Sequence, residues 1–132
     1  MYKFSKRSIQ ELELINPKLA ALMDQAIERS PIDFGIPNNG GKRTAEKQNE
    51  LYNKGVSKCD GILKKSYHQS GNAVDVYAYV NGKASWDVEH LCIIAGVVLS
   101  IASEMGLNIR WGGTFGSNKF KGWDMPHFEI KE

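Results

Sequence analysis

The chain has no apolar run of the roughly 20 residues that a bilayer-spanning helix needs. Its basic start, Met1-Tyr2-Lys3-Phe4-Ser5-Lys6-Arg7, is not followed by the hydrophobic block of a signal peptide. The expectation is a protein made in the cytoplasm. Cysteine is scarce: Cys59 and Cys92 do not make a disulfide framework. Cys92 falls in an apolar helical pattern and is predicted to be a small core residue, while Cys59 falls in a loop. Charge of one sign is lacking too, since a net +2 gives no footprint for nucleic acid. Lys64-Lys65 and Lys119/Lys121 would at most favour an anionic surface such as a bacterial envelope. There are no repeats, low-complexity segments or linkers, so residues 1–132 are read as one domain, monomeric by default.

What is present is patterned. Asn16-Pro17 is a helix start, and Leu19, Leu22, Met23, Ala26 and Ile27 mark one apolar face. Ser8–Ile15 is read as a short helix with Leu12 and Ile15 inward, and Phe34–Ile36 as a strand. Thr44 can cap a helix to about Asn53, with Leu51 and Tyr52 packing inward. Residues 73–80 alternate as a single strand with Val74, Val76, Ala78 and Val80 on one face, before the tight-turn pair Asn81-Gly82. Asp87 can cap the longest helix, whose stripe is Leu91, Ile94, Ala95, Val98, Leu99, Ala102 and Met105, with Gly106 as C-cap. Leu107–Trp111 and His127–Ile130 complete the strands. The predicted class is α+β, with helices on a small, mainly antiparallel sheet.

The candidate chemistry lies in two segments, Ser66–Asp75 and Asp124–His127. Asp75 is an acid in an apolar, β-branched strand, where an unpaired carboxylate is costly to bury. Gly71 allows a turn that would bring His68 back toward it. In His127-Phe128-Glu129-Ile130, alternation puts the apolar pair on one side and His127 on the other. If the two strands are neighbours, His68, Asp75 and His127 could share one ion, and Asp124 would remain as a base. Each segment alone fits an ordinary hydrogen-bonded pair equally well; their joint occurrence favours a hydrolytic zinc site. His90, with no such motif around it, is read as a helix-surface residue. Trp86, Trp111 and Trp123 are read as structural, with Trp123 the best site-wall candidate because it adjoins Asp124. Arg43 precedes a helix; it could bind a substrate carboxylate, steady an oxyanion, or be a solvated charge.

These motifs resemble those of the D-alanyl-D-alanine carboxypeptidase-type zinc peptidases, a group that includes phage L-alanyl-D-glutamate endopeptidases. The resemblance rests on Ser-x-His-x-x-Gly-x-Ala-x-Asp at Ser66–Asp75, on Asp124-Met125-Pro126-His127-Phe128-Glu129-Ile130, and on Lys42-Arg43-Thr44 followed by Gln48 and Leu51-Tyr52. It implies zinc held by His68, Asp75 and His127, Asp124 as acid/base, Arg43 on the substrate, and Ser66 and Gln48 supporting the site. It also implies a fold shared with the hedgehog signalling domain, and the stem peptide of peptidoglycan as substrate. The specific expectation is an endolysin that cuts the L-Ala–D-Glu bond after reaching the wall through a permeabilised membrane. A D-Ala-D-Ala carboxypeptidase and a non-catalytic zinc module are the rival readings. Two departures stand out: the Pro37–Gly40 stretch lengthens the loop before Arg43, and Thr114-Phe115 replaces the Asp-Trp often found after Trp-Gly-Gly.

Overall fold

A computed structural model describes residues 1–55, 61, 66–116 and 124–131. In chain order its elements are α1 (Lys6–Leu12), α2 (Pro17–Arg29), β1 (Asp33–Gly35), α3 (Ala45–Asn53), β2 (Ala73–Asp75), β3 (Tyr77–Val80), β4 (Lys83–Ser85), α4 (Val88–Met105), β5 (Ile109–Trp111) and β6 (His127–Ile130). A 3₁₀ turn, Tyr67–Ser70, precedes β2. Cys59, Lys64, Lys65, Lys119, Lys121 and Trp123 lie outside the described residues.

Asn16 caps α2 by accepting the Lys18 amide, with Pro17 at the first helical position. The apolar face of this helix is wholly buried and packs chiefly against α4. Each fully buried Leu or Met on it contributes about 1.5–3 kcal/mol, so the α2–α4 pair is the rigid base on which the sheets rest.

The α+β class is found, but the sheet is divided in two: β1-β3-β4 and β2-β6-β5, antiparallel throughout. The run read as one strand over 73–80 breaks at Val76. There the Asp75 amide donates to the Gly40 carbonyl and the Val76 amide to Pro126, so the ladder changes partners. Val74, Val76 and Ala78 stay buried, which is why alternation alone did not register the break. Asn81 and Gly82, with φ of 53° and 78°, make the hairpin turn into β4.

Three packing expectations are corrected. Cys92 is exposed, because it lies about 100° around α4 from the buried stripe of Leu91, Ile94, Ala95, Val98, Ile101 and Ala102. Ile101 takes the inward place, whereas Leu99 is half-buried and Met105 exposed. On α3, Tyr52 is exposed and Leu51 half-buried, and the residue turned inward is Gln48. By length and composition alone, α4 would suffice to cross a bilayer, which run-length reading did not register. Its buried stripe packs on α2 instead, as in the core helix of a folded domain.

Candidate metal centre and active site

The β2–β6 register places Asp75 directly opposite His127 and Ala73 opposite Glu129. Residues facing each other across an antiparallel pair share one face, so Asp75, His127 and Glu129 project together. His68 arrives from the 3₁₀ turn. Ser66 caps that turn by accepting the His68 amide, and the Gln69 side chain bonds back to the Ser66 amide. Gly71, with φ of 77°, closes the turn and leads into β2.

The three side chains converge. His68 Nε2 lies 3.2 Å from His127 Nδ1, and both nitrogens lie 3.3 Å from Asp75 Oδ1. The outer nitrogens are already engaged. His68 Nδ1 lies 2.8 Å from the Gly41 carbonyl, and His127 Nε2 lies 2.8 Å from Glu129 Oε1. A carbonyl only accepts, so His68 carries its proton on Nδ1 and turns the Nε2 lone pair inward. His127, donating from Nε2 to the Glu129 carboxylate, turns its Nδ1 lone pair toward the same point. With both imidazoles neutral, two lone pairs and a carboxylate oxygen face one point, an arrangement that a cation would satisfy; in the metal-free protein a proton between His127 Nδ1 and Asp75 does so. The donor set and spacing suit zinc, with about 2 Å to each corner.

Asp124 stands beside this triangle, its Oδ2 3.8 Å from His127 Nδ1, with 31% of its side chain exposed. It is placed by the Trp111–Gly112 corner. Trp111 Nε1 donates to the Met125 carbonyl at 2.6 Å, and the Asp124 amide donates to the Gly112 carbonyl. Here a glycine is required, because a Cβ at Gly112 would overlap the Asp124 carbonyl. Gly112→Ala is therefore expected to shift Asp124 and lower kcat about 100-fold while sparing metal affinity. Steady-state kinetics and metal titration of one preparation check this.

The family model for phage L-alanyl-D-glutamate peptidase matches residues 1–130. The chain belongs to the phage L-alanyl-D-glutamate peptidase family. The L-alanyl-D-glutamate peptidase of Escherichia phage T5 is 31% identical over 121 residues, covering 89% of this chain and 84% of that protein. The crystal structure of Serratia marcescens L-Ala D-Glu endopeptidase ChiX superposes with a TM-score of 0.82 at 30% identity, over 98% of this chain and 90% of that one. The L,D-carboxypeptidase DacB of Streptococcus pneumoniae shares the fold, with a TM-score of 0.51 at 20% identity over 89% of this chain and 66% of that one.

In this family member the electrostatics follow the packing. Burial acts to raise Asp75, but the charge of His68 and hydrogen bonds with both imidazoles outweigh it and hold the carboxyl well below the usual range. Burial, and then the Asp75 charge, push Asp124 upward against the pull of His127, His68 and Arg43. Burial depresses His127, but its bonds to Asp75 and Glu129 and the nearby carboxylate charges prevail, pushing it up to about 9. In metal-free protein, His127 thus contributes stability that is complete below pH about 6.5 and is lost as pH rises through about 9. Urea midpoints measured in chelator should fall across that window, and a flat profile would contradict the pairing.

Several residues at the site were not singled out from sequence. Glu129 is one, buried and bonded to His127; its place two residues along the same strand was the available signal. Arg110 lies 3.5 Å from Glu129 Oε2 and stacks over Phe115, which in turn packs against His127. The Thr114-Phe115 departure therefore puts an aromatic wall beside a candidate ligand. The carbonyls of Gly40 and Gly41, also unforeseen, accept from Asp75 and His68. His90 lies apart from the site, its Nδ1 2.6 Å from the Ser85 hydroxyl.

Proposed function

We propose that this protein is a zinc-dependent peptidoglycan endopeptidase that hydrolyses the L-Ala–D-Glu bond of the stem peptide, acting as a phage or prophage endolysin. The observation that carries the reading is the triangle of His68 Nε2, His127 Nδ1 and Asp75 Oδ1 with the Asp124 carboxylate beside it. Zinc held there would supply a Lewis acid for the scissile carbonyl and acidify a water. Asp124 lies outside the triangle and is partly exposed, so it can take the proton of the attacking water and return it to the leaving amine. Glu129 and the Gly41 carbonyl fix the two imidazoles so that each presents one lone pair. Membership of the family and the names of the phage T5 and Serratia relatives support the choice of bond. The lytic role would have the protein made in the host cytoplasm and reach the wall once the membrane is permeabilised.

The test is digestion of purified peptidoglycan with and without chelator, read by mass spectrometry. Products with a new N-terminal D-Glu, lost in chelator and recovered with zinc, are expected. Release of terminal D-Ala with the L-Ala link intact would assign a carboxypeptidase instead. No hydrolysis in the presence of zinc would leave a binding module.

A further inference from the structure

One outer surface of the fold is aromatic and begins two residues from a candidate metal ligand. Val76 is buried, so its neighbours Asp75 and Tyr77 both leave the core side of the chain. Tyr77 pairs with Gly35 across β1 and β3, and its ring lies over that glycine: a Cβ there would come within 2.9 Å of the Tyr77 hydroxyl oxygen. Alternation brings Tyr79 to the same face, opposite Ala84, and Trp86 stands beside Tyr77 with ring centroids 5.9 Å apart. Trp86, read from sequence as structural, is 52% exposed, and Tyr79 is 46% exposed. Polar groups rim the rings. Arg7 donates from Nη2 to the Tyr77 hydroxyl and from Nη1 to Asn38 Oδ1, both at 3.1 Å. The next residue, Asn39, accepts from Arg43 Nε at 2.9 Å, and Arg43 Nη2 donates to Asp75 Oδ2 at 2.9 Å. The aromatic face and the metal triangle are thus joined through the Pro37–Gly41 loop.

We propose that Tyr77, Tyr79 and Trp86 form a platform for the glycan of peptidoglycan, stacking on the muramic acid that carries the stem peptide being cut. The chemistry of the substrate sets the distance. On the acyl side of an L-Ala–D-Glu bond, one alanine and a lactyl ether separate the scissile carbonyl from the sugar ring, two residue lengths or about 7 Å. Tyr77 follows Asp75 by the same two-residue step, about 7 Å of extended chain. That reach brings the sugar to this face when the bond lies at the metal. The composition of the face suits a saccharide rather than an apolar peptide. A pyranose presents flat C–H faces, which pack on aromatic rings, and hydroxyl and acetamido groups, which need polar partners at the edge. Gly35 and Ala84 leave room around the rings, while Arg7, Asn38 and the Tyr77 hydroxyl supply the polar edge. Clustered exposed aromatics with a polar rim are the mark of a binding surface.

The inference deepens the endopeptidase reading above and rests on it for the kinetic half of its test; the binding half does not. The value of kcat/KM is measured for a disaccharide–tetrapeptide muropeptide and for the same tetrapeptide without sugar, using wild type, Trp86→Ala, Trp86→Phe and Tyr79→Ala. Wild type is expected to favour the sugar-bearing substrate. Trp86→Ala should reduce that preference about tenfold, the scale for truncating an aromatic anchor. Tyr79→Ala should reduce it several-fold, and Trp86→Phe should restore most of it. Because the readout is a ratio, a merely structural loss lowers both rates together and leaves it unmoved. Peptide-free glycan oligosaccharides, titrated by calorimetry into chelator-treated protein, should bind wild type and bind Trp86→Ala about tenfold more weakly. A ratio unmoved in both alanine variants, or equal calorimetric affinities, overturns the platform. So does self-association that Trp86→Ala abolishes, which would give the face to a second copy of this chain. A wild type that cuts neither substrate yet binds the glycan through Trp86 overturns the endopeptidase reading and leaves the platform standing.

Discussion

Asp124→Asn is expected to lower kcat by about 10²–10⁴-fold, the usual range for removing a general base, while zinc affinity stays within a few-fold of wild type. The two readouts separate because Asp124 is not a corner of the triangle. Its Oδ2 lies 3.8 Å from His127 Nδ1, whereas the three corners lie 3.2–3.3 Å apart. Asparagine preserves the shape and hydrogen-bonding reach of the side chain but cannot take a proton from water. The backbone contacts with Gly112 and His127 that hold the Asp124 turn do not involve the side chain, so the fold should be untouched. Pre-steady-state hydrolysis of a defined muropeptide, with metal content measured on the same sample, decides the matter. A variant with full zinc and full activity would remove Asp124 from the mechanism.

The second large effect belongs to Asp75. Asp75→Ala should abolish stoichiometric zinc binding and destabilise even the chelator-treated protein by about 3–5 kcal/mol at neutral pH, the cost of breaking a buried ion pair from one side. The reason is that one carboxylate faces three cationic or hydrogen-bonding partners: Arg43 on Oδ2, and His68 and His127 on Oδ1. Removing it leaves Arg43 and the imidazoles in a largely buried pocket without their counter-charge. Asp75→Asn should cost less stability, since the amide oxygen can still accept from Arg43, yet lose the metal nearly as completely. Urea denaturation in chelator and metal analysis of the purified variants give both numbers. Retention of one zinc per chain by Asp75→Ala would exclude Asp75 as a ligand.

The legible parts of this chain were those where one local rule decides. Asn16-Pro17, Thr44, Gly71, Asn81-Gly82 and Gly106 each mark a boundary or turn through their own backbone or capping chemistry, and each is found in place. Long periodic stretches were read well for the same reason, as α2 shows. Errors arose where neighbours outvote the pattern. The 73–80 run alternates without interruption, yet Gly40 and Pro126 take the amides at Asp75 and Val76 and split it between two sheets. Cys92 looked like core because α4 is apolar nearly all round, and only its packing against α2 selects the buried side. Tyr52, expected to pack inward, is exposed because α3 turns Gln48 toward Arg43 rather than an apolar face toward the core.

By itself the sequence supplied the inventory of the candidate site, a histidine before a turn, an acid in an apolar strand, a histidine opposite Phe128 in alternation and an aspartate three residues before it, and the direction of two members, Asp75 and His127. It also carried the family, because the spacings within the two segments are local. Tertiary structure alone decided that β2 and β6 pair in the register that sets Asp75 against His127. Pairing registers and long-range hydrogen bonds depend on what the whole core permits, and no short stretch encodes them. For the same reason only the fold shows Glu129 and the Gly41 carbonyl orienting the imidazoles, and Arg43 turned inward onto Asp75.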